Sequence, residues 1–167
     1  MPGGTLHAIL AFGEMRAYDW HIAKRKAYAM AVEFANAHDI LRLAAGDGRA
    51  AIEATRRGLP VSAVDALIET GRLSLSEIDR IVLPRKTLSH RRTLGALTSD
   101  QSDRLIRVAR IIAAAEDTFG STEKARRWLR RPTTALDGEA PLELLDTSEG
   151  SRQVERLILR IDHGLGA

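Results

Sequence analysis

A chain of 167 residues, 44% of them apolar and 4% aromatic, can bury the core of one domain or two small ones, and a composition led by Leu, Ile, Ala and Arg favours helix packing over a sheet. The absence of cysteine excludes disulfides and thiolate chemistry, no apolar run approaches the roughly 20 residues of a membrane span, and the early LHAILAF lacks the basic segment of a signal peptide, so the cytoplasm is the expected compartment. The net charge of +3 is uneven: residues 49–98 hold nine cations against five anions while both flanks balance to within one charge, which puts a phosphate-binding surface in the middle third.

In chain order the reading is all-α. Trp20, Ala23, Ala27, Met30, Ala31, Phe34 and Ala35 recur at helical spacing, predicting one long helix over 14–38 within an N-terminal helical segment, 1–48. AAGDG at 44–48 breaks the chain. A short helix then ends at Gly58, and Pro60 opens another, with Val64, Leu67 and Ile68 on one face and Gly71 as its C-terminal cap. In SLSEIDRIV, Ser74 and Glu77 have capping-box spacing, with Ile78, Ile81 and Val82 inward. RKTLSHRRTLG gives one more short helix around Leu88, capped at Gly95. Short helices joined by tight turns describe a helix-turn-helix bundle over 49–98.

From 99 to 167 a second helical domain is expected. Thr98 or Ser99 caps a helix running to Phe119, with Leu105, Val108, Ala109, Ile112 and Phe119 on one side and Gly120 as the stop. Ser121 caps the helix of KARRWLRR, which Pro132 ends. TTALDG is loop, Pro141 starts a helical turn, and Ser148 introduces a last helix with Val154, Leu157, Ile158 and Ile161 inward, closed by His163 and Gly164.

The residue chemistry points away from catalysis. The five histidines lack the i, i+4 spacing that would put two metal ligands on one helical face. AAGDG lacks the Lys-Ser/Thr ending of a phosphate loop, and no serine elbow occurs. No cofactor, metal or enzymatic activity is expected. The cluster Arg85, Lys86, Thr87, Ser89, His90, Arg91 and Arg92 offers a recognition helix instead, because Arg and Lys reach phosphates and guanine edges while Ser, Thr and His hydrogen-bond to bases or backbone. The bland alternative is a solvated face. A competing register makes the helix over 74–82 the reader, but Glu77 and Asp79 on its exposed side would repel phosphates.

In KARRWLRR, Ala125, Trp128 and Leu129 share a side, so Trp128 reads as a structural residue beneath a basic surface. The acidic and apolar DGEAPLELLD that follows points to a protein partner more than to nucleic acid.

Taken in order, these residues resemble the Xre/MbcA/ParS antitoxins. Thr87, Leu88, His90, Arg91 and Arg92 fit the family's reader helix, and Ser99, Ser102 or Asp103, Arg104 and Leu105 fit the start of its long helix. Trp128, Leu129, Pro132, Leu136, Gly138, Pro141, Leu142, Leu144, Leu145, Gly150, Val154 and Gly164 fall in the order of its toxin-binding signature. The likeness covers about residues 50–167 and leaves the first 48 unassigned. His90 departs from it, standing where a base-reading cation is expected.

The resemblance implies a non-catalytic antitoxin. It would bind and occlude a RES-domain toxin, which in this family consumes NAD⁺, through residues 99–167, and would repress its own operon by binding operator DNA. Arg152, Arg156, Arg160, His163 and Leu165, with Arg127, Arg130 and Arg131, are the candidate toxin contacts. Two-fold operators are read by dimers, so a homodimer is expected, with 14–38 as a dimerisation element. A stand-alone repressor with a helical sensing domain, or an adaptor whose basic patch is only solvated, are the alternatives.

Overall fold

The computed structural model describes residues 36–46 and 48–164. Among them the chain forms helices α1 (Ala37–Ala45), α2 (Gly48–Arg57), α3 (Ser62–Glu69), α4 (Leu75–Ile81), α5 (Arg85–Leu94), α6 (Ser99–Phe119) and α7 (Thr122–Leu129). Two 3₁₀ turns (Thr134–Leu136 and Pro141–Asp146) then lead to α8 (Ser148–Asp162). The described residues include no strand, as an all-α composition requires; one isolated antiparallel bridge joins Pro60 and Ala96.

The longest helix, α6, organises the rest. It packs against α1 and α2 on the N-terminal side and against α7 and α8 on the other. The sequence pattern assigned it a single apolar face. In the structure Ile106 and Ile111 are buried alongside Leu105, Val108, Ala109, Ile112 and Ala115, because a helix at the centre of a bundle is covered on more than one side. One hydrophobic core therefore runs from Ile40 through Leu67, Ile78 and Leu88 to Leu145 and Ile158.

Local signals fix the boundaries. The Thr98 hydroxyl accepts from the Gln101 N–H while the Gln101 side chain accepts from the Thr98 N–H, a reciprocal cap worth about 1 kcal/mol. The Ser102 hydroxyl, wholly buried, accepts from the Leu59 N–H at 2.8 Å and donates to the Thr98 carbonyl at 2.7 Å. That single side chain ties the loop after α2 to the first turn of α6. Gly150 lies so close to the Leu144 carbonyl that a Cβ would come within 2.1 Å of it, so the approach of α8 to the preceding turn requires glycine.

Three expectations need correction. The helix predicted over 14–38 lies almost wholly outside the described residues, as does its dimerisation role; its last residues do not continue a helix, since Asn36 is extended (φ −147°) and caps α1. Its Oδ1 accepts from the Asp39 N–H, and the Asp39 carboxylate accepts from the Asn36 N–H. Pro60 does not open α3, because its backbone is held in the bridge to Ala96 and the helix starts at Ser62. Thr147, rather than Ser148, caps α8: its hydroxyl accepts from the Gly150 N–H at 3.0 Å.

Candidate functional site

Helices α4 and α5 form the helix-turn-helix. The reciprocal Ser74–Glu77 cap starts α4, and Ile78, Ile81, Val82 and Leu83 are buried beneath it. The three-residue turn 82–84 leads into α5, whose start is held by a 2.6 Å hydrogen bond from the Arg85 N–H to the Asp79 carboxylate. Asp79, read from sequence as a charge that repels phosphate, thus positions the next helix. Leu88, 1% exposed, anchors α5, and Gly95 (φ 81°) ends it in the left-handed region that favours glycine.

The structure divides the seven candidate DNA-binding residues. Arg85, Lys86, Ser89 and His90 are exposed and share one face at helical spacing, joined by Thr93, which the sequence reading omitted. Thr87 and Arg91 flank Leu88 and are only half-exposed; the Arg91 Nε is buried without a hydrogen-bond partner. Arg92 is exposed but swings back to the Asp65 carboxylate on α3 at 2.6 Å. The outward face of α5 is therefore 85, 86, 89, 90 and 93, ending at Leu94, whose side chain stands in solvent.

Helix α7 is capped by the Ser121 hydroxyl and buries Ala125 and Leu129. Trp128 is half-buried and packs on Phe119, ring centroids 5.3 Å apart and tilted by 43°, the structural role its spacing predicts. Of the three candidate contacts here, Arg127 is exposed and pairs with Glu123, and Arg131 is exposed. Arg130 turns inward. Its Nε and Nη2 donate to the two oxygens of Glu77, each at 2.8 Å, and Nη2 also donates to the Arg72 carbonyl at 3.1 Å.

Glu77 is consequently only 15% exposed, which corrects its placement on the outer face of α4. Burial raises the pKa of its carboxyl, but hydrogen bonds from Arg130 and the Ser74 N–H, with the guanidinium charge, outweigh that and hold it below the ordinary glutamate value. Arg72 makes a second fork–fork pair, with Glu116 of α6 at 2.8 and 3.1 Å, both side chains 18% exposed. Together the two pairs lock the turn before α4 to both α6 and α7.

Helix α8 buries Val154, Leu157 and Ile158, with Ile161 half-buried. Opposite that stripe Arg152, Arg156, Leu159, Arg160 and His163 are exposed and fall within an arc of about 100° at 3.6 residues per turn. Four of these are among the sequence-predicted contacts; Leu165 lies outside the described residues. Leu159, 53% exposed at one edge of the stripe, was missed. Its signal was its position, since it breaks the apolar period of the helix by falling among the cations.

Comparison with known proteins gives two family matches. Residues 50–110 match the antitoxin Xre-like helix-turn-helix domain, and residues 114–164 match the antitoxin Xre/MbcA/ParS C-terminal toxin-binding domain. Antitoxin Xre of Pseudomonas putida is 44% identical over 101 residues, covering 60% of this chain and 63% of that protein. Antitoxin Xre of Yersinia enterocolitica is 32% identical over 126 residues, covering 74% and 85%, and that of Photorhabdus laumondii 36% identical over 111 residues, covering 65% and 75%. The match thus spans just under two thirds of the Pseudomonas protein and three quarters or more of the other two. No described helix is long and apolar enough to cross a membrane. A helix-turn-helix with an outward polar face, continuous through α6 with a toxin-binding domain, and relatives named for the same role place this chain in the Xre/MbcA/ParS antitoxin family, as a non-enzymatic antitoxin of a toxin–antitoxin system.

Proposed function

We propose that the chain neutralises a RES-domain toxin that consumes NAD⁺, covering its active site with the outer face of α8 and the tail beyond it. The observation that carries this reading is the stripe Arg152, Arg156, Leu159, Arg160 and His163, a solvent-facing aliphatic side chain beside a row of basic ones on the domain matched as toxin-binding. That combination suits an interface in which the leucine is desolvated and the neighbouring charges select the partner. Residues 49–98 form the DNA-binding domain in this reading and 99–167 the toxin-binding domain. The face Arg85, Lys86, Ser89, His90 and Thr93 enters the major groove of the protein's own promoter, as a homodimer on a two-fold operator, and represses it.

The test is rescue from the toxin encoded beside it. Leu159→Asp with Arg156→Glu should abolish rescue of growth and of cellular NAD⁺ while leaving the thermal melt unchanged, because both side chains are exposed. Full rescue by that double variant would place the toxin surface elsewhere. A partner that leaves NAD⁺ intact in unprotected cells would refute the RES assignment.

A further inference from the structure

We propose that the basic cleft of α7 is a second run of DNA-phosphate contacts, extending the footprint of the helix-turn-helix into the toxin-binding domain; this rests on the DNA-binding reading of α5 given above. The cleft, about 530 Å³, is lined by Glu123, Arg126, Arg127, Arg130, Arg131 and Pro132. Its one acid, Glu123, is taken by Arg127, and Arg130 is neutralised by Glu77. Arg126 and Arg131 are exposed and have no acidic partner among the described residues. Two uncompensated guanidinium groups thus face the opening, with Lys124 exposed on the same helix.

Position gives the cleft its occupant. Arg130 fastens α7 to Glu77 on α4 and to the Arg72 carbonyl, and the Arg126 guanidinium reaches within 3.4 Å of where a Cβ on Gly71 would sit. The cleft therefore opens beside the turn that leads into α4. In a helix-turn-helix the first of the two helices crosses the sugar–phosphate backbone while the second enters the groove. Arg126 and Arg131, carried on a segment that Arg130 fastens beside the entry to α4, lie along that strand, past the bases that α5 reads.

The chemistry favours phosphate over a protein surface. Planar guanidinium groups match phosphate oxygens in pairs. A protein hot spot needs an apolar anchor that can be desolvated; α8 displays one in Leu159, whereas in α7 Leu129 is buried and Trp128 is packed on Phe119. The toxin thus has the better surface on α8.

The test is a salt series on full-length protein, by fluorescence anisotropy, with a duplex from upstream of its own operon and an unrelated duplex of equal length. Arg126→Ala with Arg131→Ala should reduce the slope of log K against log salt by about 1.8 and weaken both duplexes equally. Arg85→Ala with Lys86→Ala, by contrast, should lower the preference for the operon duplex. An unchanged slope in the α7 variant, when the α5 variant has lost binding, overturns the cleft alone. Lost toxin rescue with unchanged DNA binding assigns the cleft to the toxin and also overturns it. A wild type that binds neither duplex removes the DNA reading of α5 and the cleft with it.

Discussion

The two most basic helices, α5 and α7, look alike as strings of letters and differ in how they use charge. RKTLSHRR on α5 keeps Arg85, Lys86 and His90 in solvent, and its one interhelical pair, Arg92 with Asp65, leaves Arg92 47% exposed and Asp65 33% exposed. EKARRWLRR on α7 sends Arg130 inward to a carboxylate that is 15% exposed, shared with the cap of another helix. Density of cations therefore does not tell whether a helix is a binding surface or a structural strut. What decides it is whether an acid from elsewhere in the fold waits at low exposure for one of them.

The sharpest way to break that contrast is to remove the strut. Arg130→Leu strands the Glu77 carboxylate, and the cost, discounted for the exposure of Arg130, is about 2 kcal/mol, or a fall in melting temperature of about 4 to 8 °C for a chain of this size. Arg127→Ala, on the same helix but paired only with its neighbour Glu123 at the surface, should stay within about 0.5 kcal/mol. Adding Glu77→Leu to Arg130→Leu should recover part of the loss, because an apolar pair of similar volume replaces an ion pair at little net cost. Calorimetry on the four proteins settles it: equal effects at 127 and 130 would mean that both arginines are surface charges.

The contrast also explains what could be read beforehand. Signals confined to a few residues were legible: the Ser74–Glu77 cap, the stop at Gly95, the anchor Leu88 and the structural role of Trp128 all appear as the spacing predicted. The end of the predicted helix 14–38 was misplaced because the alanine-rich period runs on past Asn36, where a reciprocal cap with Asp39 outweighs it and starts α1. Glu77 was misread for another reason. Its partner is 53 residues away, so nothing near it in sequence says that it faces a guanidinium rather than water. Likewise Arg92 looked like its neighbours until Asp65, 27 residues earlier, was folded against it. The outer stripe of α8 was legible as cations, and Leu159 was missed because an aliphatic residue on a helix is ordinarily assigned to the core.

Acid sharpens the same comparison more gently. The native pKa of Glu77 is held below its ordinary value, so the stability it contributes is fully present above that ordinary value and is lost as pH falls through the lowered native one. Wild type should therefore lose stability faster than Glu77→Gln as pH is taken from neutrality to about 3, and the gap between their melting temperatures should narrow over that window. A gap that stays constant would mean that Glu77 contributes through hydrogen-bond geometry alone, with its charge irrelevant.

The smallest effect tests the other arm, the loosely held cation of α5. An ion pair as exposed as Arg92–Asp65 contributes about 0.5 kcal/mol, because water screens both groups and two side chains must be ordered to make it. A double-mutant cycle of Asp65→Asn and Arg92→Ala, followed by thermal melts, should return a coupling of that size, several-fold below the coupling between Glu77 and Arg130. Its weakness matters to the proposed use of the helix. A guanidinium held by about 0.5 kcal/mol exchanges its carboxylate for a phosphate at little cost, so Asp65→Asn should strengthen DNA binding modestly by removing a competing anion, and Arg92→Ala should cancel that gain. A coupling as large as that at Arg130 would make Arg92 a second strut, unavailable to a phosphate.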